Sequence, residues 1–313
     1  SYPEYNLNSF VMGISSKEWA VLRDDINLPF TNKLINGLYP PGSIIKPSME
    51  LAILKSKRVK KGTQYYCDGG LKLGKRTFRC WKTLGHGRTD MVKAIRESCD
   101  YFFYKASKKV GINLLAKNLK RYNLEHKTNV DLPNEFIGTI PDKAWKRKKY
   151  NRSWYVGETL NASIGQGNVL VTPMQMAQNT MLIATGRLVT PHFVKAFNDV
   201  LYKPKYKEVF TEQEKKNLKF IRKGMRDVCS HPSGTATRFI HTKIKIAGKT
   251  GTAQVIGIPQ NIKKRIAEHD MSYFRRSHAW LTTYGPYKNP QISVTILVEH
   301  GGHGGMIAGP IVS

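Results

Sequence analysis

The stretch GLYPPGSIIKPSMELAIL, residues 37–54, places a serine directly after a segment that cannot be helical. The YPPG segment (39–42) is rigid, and the apolar periodicity that follows Ser43 predicts a helix beginning there. Lys46 lies three residues further on, so both side chains would share one helix face. An amine beside a serine hydroxyl at a helix start can activate that hydroxyl as a nucleophile. The ordinary alternative is a capping serine and a solvated lysine, because Ser-x-x-Lys also arises by chance in a lysine-rich chain.

The composition is that of a globular but strongly basic protein. The chain has 313 residues, 40% of them hydrophobic, and 51 Lys and Arg against 22 Asp and Glu give a formal charge of +29. Such a charge predicts attraction to polyanions or anionic surfaces. Basic residues cluster in 55–62, 143–155 and 260–265, and the second cluster interleaves aromatic residues. No nucleic-acid-binding motif accompanies them, so we expect a solvated basic surface and no nucleic-acid partner.

The first residues carry no signal peptide, and no apolar run approaches the ~20 residues that a membrane helix needs. The chain begins abruptly at SYPEYNLNSF, residues 1–10. We therefore expect it to be an excised or processed soluble portion of a longer protein.

Periodicity predicts a helical first part and a β-rich last part. Helices are predicted over 15–25, from Ser43 onward, over 89–111 with a break at Ser98, and over 112–124, 172–186 and 211–230. Segments 62–89 and 125–171 are predicted to be irregular, and HGGHGG (300–305) to be a turn. Strands are predicted over 242–257, 277–285 and 291–301, with a hairpin at PYKNP. This order predicts an α/β fold in which helices cover an antiparallel sheet.

Two further motifs change the interpretation of Ser43. Lys249-Thr250-Gly251-Thr252 lies in the β-rich part, where Gly251 lets a ligand approach the backbone and its neighbours offer a cation and two hydroxyls. This set suits a carboxylate. Ser98-Cys99-Asp100 lies in the break between two predicted helices. Ser-x-x-Lys, Ser-x-Asn/Asp and Lys-Thr-Gly, in that order, are the signature of penicillin-recognising serine acyltransferases.

The whole chain resembles the transpeptidase domain of the class B penicillin-binding proteins, and within them the elongation-specific penicillin-binding protein 2 group. The resemblance rests on FVMGISSKEW (10–19), YPPGSIIKP (39–47), AIRESCDYFFY (94–104), GETLNASIGQGNVLVTPMQMA (157–177) and AGKTGTAQ (247–254). It implies the penicillin-binding and serine β-lactamase-like fold, an antiparallel β-sheet flanked by helices plus a mainly helical subdomain, as a single domain over 1–313.

The resemblance also implies a cellular setting. The family lies on the periplasmic face of the bacterial inner membrane, held by an N-terminal helix and a pedestal domain, and we expect both to be absent from these 313 residues. The implied partners are peptidoglycan stem peptides, β-lactams and elongation-complex membrane proteins, namely a glycosyltransferase of the shape and elongation family and the rod-shape scaffold protein. The family also begins a C-terminal helix where this chain ends, at GPIVS (309–313), so we expect that helix to be missing.

When the family's motifs are matched to this sequence, the resemblance implies catalytic roles for four residues: Ser43, Lys46, Ser98 and Lys249. Ser43 attacks the penultimate D-alanine carbonyl of a stem peptide and forms an acyl-enzyme, which the amine of a neighbouring stem resolves. Lys46 is the general base and Ser98 relays a proton to the leaving amine. Burial and the nearby Lys249 cation should keep Lys46 neutral, while Lys249 stays charged.

Substrate binding is implied for the β-rich motif. Lys249, Thr250, Gly251 and Thr252 hold the substrate carboxylate, and the backbone N–H groups of Ser43 and Thr252 form the oxyanion hole. Catalysis by this family needs no cofactor.

Asp100 departs from the asparagine of the broader family, although penicillin-binding protein 2 members carry aspartate there. An ionised carboxylate near Lys46 would oppose its role as a base. Either Asp100 points elsewhere, or the pair shares a proton. A catalytic role for Asp100 is therefore possible and open.

Two other enzymatic or sensory functions share the fold. A serine β-lactamase needs a second base, and ETLN (158–161) falls one residue short of the Glu-x-x-Leu-Asn of one class. A β-lactam sensor would acylate once without transferring the acyl group. The segment 257–276 is predicted to be a mobile flap beside the Lys-Thr-Gly strand, because it exceeds the usual length of a hairpin loop.

Three cysteines and one histidine form a candidate zinc site in the irregular region. Cys67, Cys80, His86 and Cys99 are spaced C-x12-C-x5-H-x12-C, and three thiolates with one imidazole make a closed structural zinc site. The alternative is a Cys67–Cys80 disulfide in an oxidising periplasm. That alternative leaves Cys99 and His86 without a role.

Overall fold

A computed structural model describes residue 2 and residues 4–257 and 266–313. Its helices are α1 (Ser16–Arg23), α2 (Lys33–Asn36), α3 (Lys46–Lys55), α4 (Met91–Arg96), α5 (Asp100–Val110), α6 (Ile112–Arg121), α7 (Lys143–Tyr150), α8 (Val156–Ser163), α9 (Pro173–Thr185), α10 (Glu212–Ser230) and α11 (Gly304–Val312). Its strands are β1 (Tyr65–Cys67), β2 (Gly70–Leu73), β3 (Arg76–Arg79), β4 (Gly87–Thr89), β5 (Leu188–Val189), β6 (Ala196–Phe197), β7 (Val200–Leu201), β8 (Tyr206–Lys207), β9 (Ala247–Ala253), β10 (His278–Gly285) and β11 (Ile292–Val298). Short 3₁₀ turns cover Leu7–Phe10, Gly42–Ile45, Glu268–Asp270 and Tyr273–Arg275.

The principal sheet is antiparallel, in the order β11-β10-β9. Every residue of β10 is buried, so this strand forms the centre of the sheet. β9 lies at one edge, with Lys249 opposite Thr282 and Gly251 opposite Trp280. The predicted strands and their hairpin are confirmed, and the motif strand lies at the edge of the sheet, where only Thr252 is not fully buried.

Helix α3 is the buried centre of the helical part. The 3₁₀ turn over Gly42–Ile45 continues directly into α3, with Pro47 in the first helical turn, where its missing N–H costs nothing. All residues from Lys46 to Leu54 are buried. The helix therefore packs on all sides, which fixes the position of the Ser43 turn at its start.

Capping residues place the other long helices where the sequence predicts them. The side chains of Thr172 and Thr211 accept a hydrogen bond from the backbone N–H of the third residue of α9 and of α10, respectively. The Gln or Glu side chain at that third position in turn accepts a hydrogen bond from the backbone N–H of the threonine. The predicted break at Ser98 separates α4 from α5. One hydrophobic core joins these helices to β9 and β10.

Three regions differ from the sequence predictions. The C-terminal helix expected to be missing is present: α11 begins inside the predicted HGGHGG turn and packs on β9, β10 and β11. Its first glycines allow this, because a Cβ on Gly304 would lie 2.1 Å from the oxygen of Gly251. The segment predicted as irregular over 125–171 contains α7 and α8, and that over 62–89 contains β1 to β4.

Within the described residues, no helix combines the length and the apolar character needed to span a bilayer. Part of the predicted flap, residues 258–265, lies outside the described residues. The remainder of that segment contains the two short 3₁₀ turns before β10.

Candidate active site

The Ser43 turn is held by a close backbone contact between two glycines. Gly42 has φ +53° and its N–H donates to the oxygen of Gly165 at 2.9 Å. A Cβ on Gly165, which has φ +73°, would lie 2.2 Å from the Gly42 oxygen. Only glycine permits this approach, so the loop after α8 fixes the turn that carries the half-buried Ser43.

Lys46 is fully buried and its amine meets three acceptors. Nζ donates to the Ser98 carbonyl oxygen at 2.9 Å, to Ser98 Oγ at 3.2 Å and to Asp100 Oδ1 at 2.7 Å. Three acceptors match the three N–H groups of an ammonium. The sequence brings Ser43 and Lys46 to one turn, and tertiary structure adds Ser98 and Asp100 to the amine.

Ser98 lies in the short connection between α4 and α5, and Asp100 is the first residue of α5. Ser98 has φ +54°, an uncommon conformation for a residue with a Cβ, which turns its carbonyl and hydroxyl toward Lys46. Asp100 Oδ2 accepts a hydrogen bond from the backbone N–H of Trp81 at 2.9 Å. The possibility that Asp100 points elsewhere is therefore wrong. Burial raises the pKa of Asp100 and the Lys46 cation lowers it, with a net increase.

Lys249 is also fully buried, on the edge strand β9. Its Nζ donates to the oxygen of Thr250 at 2.8 Å. Burial, and then the charge of Lys46, lower the pKa of Lys249 well below its ordinary value. Lys46 is the lysine that pairs with a carboxylate, at 2.7 Å from Asp100, and the expected division of charge between Lys46 and Lys249 stays a prediction.

The Lys-Thr-Gly strand packs directly on the Ser43 turn. A Cβ on Gly251 would lie 3.0 Å from Ile44 Cγ2 and 3.1 Å from the Pro41 oxygen. Thr250 Oγ1 lies 2.6 Å from Thr235 Oγ1, and Thr252 Oγ1 accepts a 3.4 Å hydrogen bond from the N–H of Gly304. All three predicted motifs therefore meet around one cleft, with Gly251 as the residue that allows the approach.

Comparison with protein families matches residues 1–313 to the family described as penicillin binding protein transpeptidase domain. The chain belongs to this transpeptidase family. It is 34% identical over 320 residues to the peptidoglycan D,D-transpeptidase MrdA of Haemophilus influenzae and 38% over 317 residues to that of Acinetobacter baumannii. These alignments cover 99% and 98% of this chain and 49% and 46% of the relatives, so the chain spans about half the length of the curated relatives it matches.

Solved structures of family members superpose on the whole chain. The complex between penicillin-binding protein 2 and MreC from Helicobacter pylori has a TM-score of 0.91 at 45% identity, covering 100% of this chain and 55% of that one. Pseudomonas aeruginosa penicillin-binding protein 2 in complex with WCK 5153 has a TM-score of 0.88 at 34% identity, covering 100% and 68%. The predicted penicillin-binding fold is confirmed.

Other side chains of this transpeptidase domain border the cleft without standing out in the sequence. Trp81 holds Asp100 through its backbone and donates its indole N–H to the oxygen of Glu97 at 2.9 Å. Gln166 Nε2 donates to the oxygen of Thr252 at 3.3 Å, and Thr235 meets Thr250. None of them belongs to the three-motif signature, so only tertiary structure assigns them to the site.

The four predicted metal ligands converge in a buried cluster next to the transpeptidase cleft. Their ligand atoms, from Cys67, Cys80, His86 and Cys99, all lie within 4.8 Å of one another. His86 Nδ1 is 3.6 Å from the Cys67 sulfur and 3.4 Å from the Cys80 sulfur. The cysteines are free thiols. Contact with the Cys99 thiol lowers the pKa of Cys67 and of Cys80, and the same contacts raise the pKa of Cys99. The cluster fits a metal ion.

Proposed function

We propose that this chain is the catalytic domain, over 1–313, of a peptidoglycan D,D-transpeptidase. One observation carries the proposal: Ser43, the Lys46–Ser98–Asp100 group and the Lys249–Thr252 strand meet at one cleft, although they lie far apart in the sequence. Their order and geometry support acyl transfer through a serine ester.

The reaction begins with Ser43 Oγ attacking the carbonyl carbon of the penultimate D-alanine in a stem peptide. The hydroxyl proton passes to Lys46, which can accept it only after releasing one of its own. Asp100 Oδ1, at 2.7 Å, is the nearest acceptor for that proton. If Lys46 and Asp100 share a proton in this way, Asp100 prepares Lys46 to act as the base.

The tetrahedral intermediate then collapses with cleavage of the carbon–nitrogen bond. Ser98, hydrogen-bonded to Lys46 at 3.2 Å, passes a proton to the leaving amine of the terminal D-alanine. The backbone N–H groups of Ser43 and Thr252 stabilise the oxyanion, by about 3 kcal/mol for each donor. The amine of a second stem peptide attacks the ester and forms the cross-link.

Lys249, Thr250, Gly251 and Thr252 bind the substrate carboxylate in this proposal. A substrate carboxylate beside Lys249 would raise its pKa, which burial lowers. Gly251 lets this strand pack closely on the turn that carries Ser43, because a Cβ there would lie 3.0 Å from Ile44 Cγ2.

β-Lactamase activity is disfavoured by the role of Glu158. Its Oε2 accepts hydrogen bonds from the N–H of Tyr155 at 2.7 Å and from Lys146 Nζ at 2.5 Å, at the start of α8. Glu158 is therefore occupied in capping a helix and pairing a lysine and does not activate a deacylating water. A sensor function has the same acylation step and differs in lacking transfer.

The test uses a peptide ending in D-Ala-D-Ala with and without an added amine acceptor. The proposal predicts release of D-alanine and an acceptor-dependent cross-linked product, both lost in Ser43→Ala. Rapid turnover of benzylpenicillin would favour the β-lactamase, and a stable acyl adduct with no transfer would favour the sensor.

For the whole protein we propose a periplasmic catalytic domain anchored in the inner membrane, working with a scaffold protein and a glycosyltransferase. The H. pylori structure with MreC, and a peptidoglycan synthase complex with a TM-score of 0.81 at 31% identity, support these partners. The basic surface would suit wall carboxylates and anionic lipid headgroups. Co-purification of the full-length protein with MreC and its loss on exchanging surface charges would test this assignment.

We also propose that Cys67, Cys80, His86 and Cys99 hold one structural zinc ion. Zinc would cross-link the β1–β4 region, which consists of two short strand pairs, to the start of α5. Cys99 lies between Ser98 and Asp100, and Cys80 precedes Trp81, which bonds Asp100. Elemental analysis of protein purified without chelator should give close to one zinc per chain. No metal, together with a mass two hydrogens below the reduced chain, would establish the disulfide instead.

A further inference from the structure

Thr235 lies in a loop that is fixed to the C-terminal end of α10. The N–H of Ala236 donates to the oxygen of Val228 at 3.0 Å, and Thr237 Oγ1 donates to the oxygen of His231 at 2.7 Å. A Cβ on Gly234 would lie 2.3 Å from the Asp227 oxygen. The loop is therefore pressed against the helix, which leaves Thr235 little freedom to move.

The side chain of Thr235 contacts the carboxylate-binding strand. Its Oγ1 lies 2.6 Å from Thr250 Oγ1, and both residues are at least partly buried. A Cβ on Gly305, in the first turn of α11, would lie 2.6 Å from the Thr235 oxygen, so α11 closes over the pair. The N–H of Thr235 points to the oxygen of Arg96 at 3.4 Å, near the Ser98 connection. Thr235 thus touches three elements that surround the cleft.

One hydrogen bond joins the two hydroxyls, only one of them can donate in it, and the choice of donor matters to a bound anion. If Thr250 donates to Thr235, the lone pairs of the Thr250 oxygen face a carboxylate and repel it. If Thr235 donates to Thr250, the Thr250 proton is free to bond the carboxylate, and such charge-assisted bonds are about twice as strong as neutral ones.

We propose that Thr235 is a positioning residue that donates its hydroxyl proton to Thr250 and thereby orients the Thr250 hydroxyl toward the substrate carboxylate. The inference rests on the proposed function, because it assumes that Thr250 binds that carboxylate. It assigns Thr235 to carboxylate recognition and not to the acyl-transfer step.

The test compares acylation by benzylpenicillin with acylation by its methyl ester, which lacks the carboxylate charge. Thr235→Val keeps the shape and removes the donor. It should slow acylation by benzylpenicillin by about tenfold and leave the rate with the ester unchanged. Thr235→Ser retains the donor and should restore the benzylpenicillin rate. Adding Thr235→Val to Thr250→Val should cause no further loss, because the two hydroxyls act as one unit.

A loss that is equal for the two compounds would assign Thr235 a purely structural role and overturn the inference. So would a Thr235→Val protein that reacts like the wild type. Melting temperatures identify a misfolded variant, and Thr235→Ala then replaces Thr235→Val in the same comparison. Wild-type protein that forms no penicilloyl adduct would overturn the proposed function together with this inference. A Thr235→Val variant that slows acylation by benzylpenicillin and by its methyl ester equally would overturn this inference alone.

Discussion

His278 should make the domain lose stability in mild acid. It begins β10, and its Nδ1 accepts a hydrogen bond from the backbone N–H of His300 at 3.1 Å. A proton on Nδ1 would face that N–H and break the bond. Burial, and then His300, lower the pKa of His278 to about 4; Lys33 lowers it further and Glu299 opposes the shift. The folded state therefore holds His278 neutral.

The size of the effect follows from linkage. The ordinary pKa is 6.5 and the folded value about 4, so below pH 6.5 the unfolded chain binds the proton first. Stability is fully present above pH 6.5 and falls as the pH drops toward 4. Between pH 7.5 and pH 5.0 this one group should lower the free energy of unfolding by about 2 kcal/mol, or roughly 3 °C in melting temperature.

Urea unfolding at the two pH values measures this loss. His278→Asn is the matched variant, because an amide oxygen can accept the His300 N–H and does not titrate. The loss between pH 7.5 and pH 5.0 should be smaller in the variant than in the wild type by about 2 kcal/mol. Equal losses in the two proteins would refute the assignment of the acid sensitivity to His278.

Three further predictions concern the cleft and the metal cluster. Lys46→Arg should abolish acylation although it keeps the charge, because arginine cannot act as a base; an active variant would contradict the role of Lys46. Gly165→Ala should slow penicillin acylation by about tenfold or more, since its Cβ would lie 2.2 Å from the Gly42 oxygen, whereas Gly62→Ala, whose Cβ would meet open space, should not; equal rates would show that the turn adapts. Cys80→Ser should lose zinc by elemental analysis and lower the melting temperature; unchanged metal content would remove Cys80 from the ligand set.

The sequence predicts those parts of the fold that local chemistry specifies. The helix starts at Thr172 and Thr211, the break at Ser98 and the PYKNP hairpin all follow from short-range preferences, and each is confirmed. The C-terminal helix α11 was predicted wrongly because a Gly-rich start and Pro310 disfavour a helix in isolation. Packing on the sheet, which requires glycine at the contact, stabilises it nonetheless.

The sequence predicts which residues form the candidate site. It does not predict which of their charged side chains pair with one another. Motif order identifies Ser43, Lys46, Ser98 and Lys249, but it cannot reveal that Asp100 pairs with Lys46 at 2.7 Å. That pairing depends on the positive φ of Ser98 and on the N–H of Trp81, both products of tertiary structure. Motif order also does not reveal that burial lowers the pKa of Lys249.

The central claim is that Ser43 is the residue acylated in this cleft. Intact-mass spectrometry after incubation with benzylpenicillin measures it directly, followed by peptide mapping. We expect one penicilloyl adduct per chain, located on the peptide that contains Ser43 and absent from Ser43→Ala. An adduct on another serine, or a Ser43→Ala protein that still reacts, would contradict it.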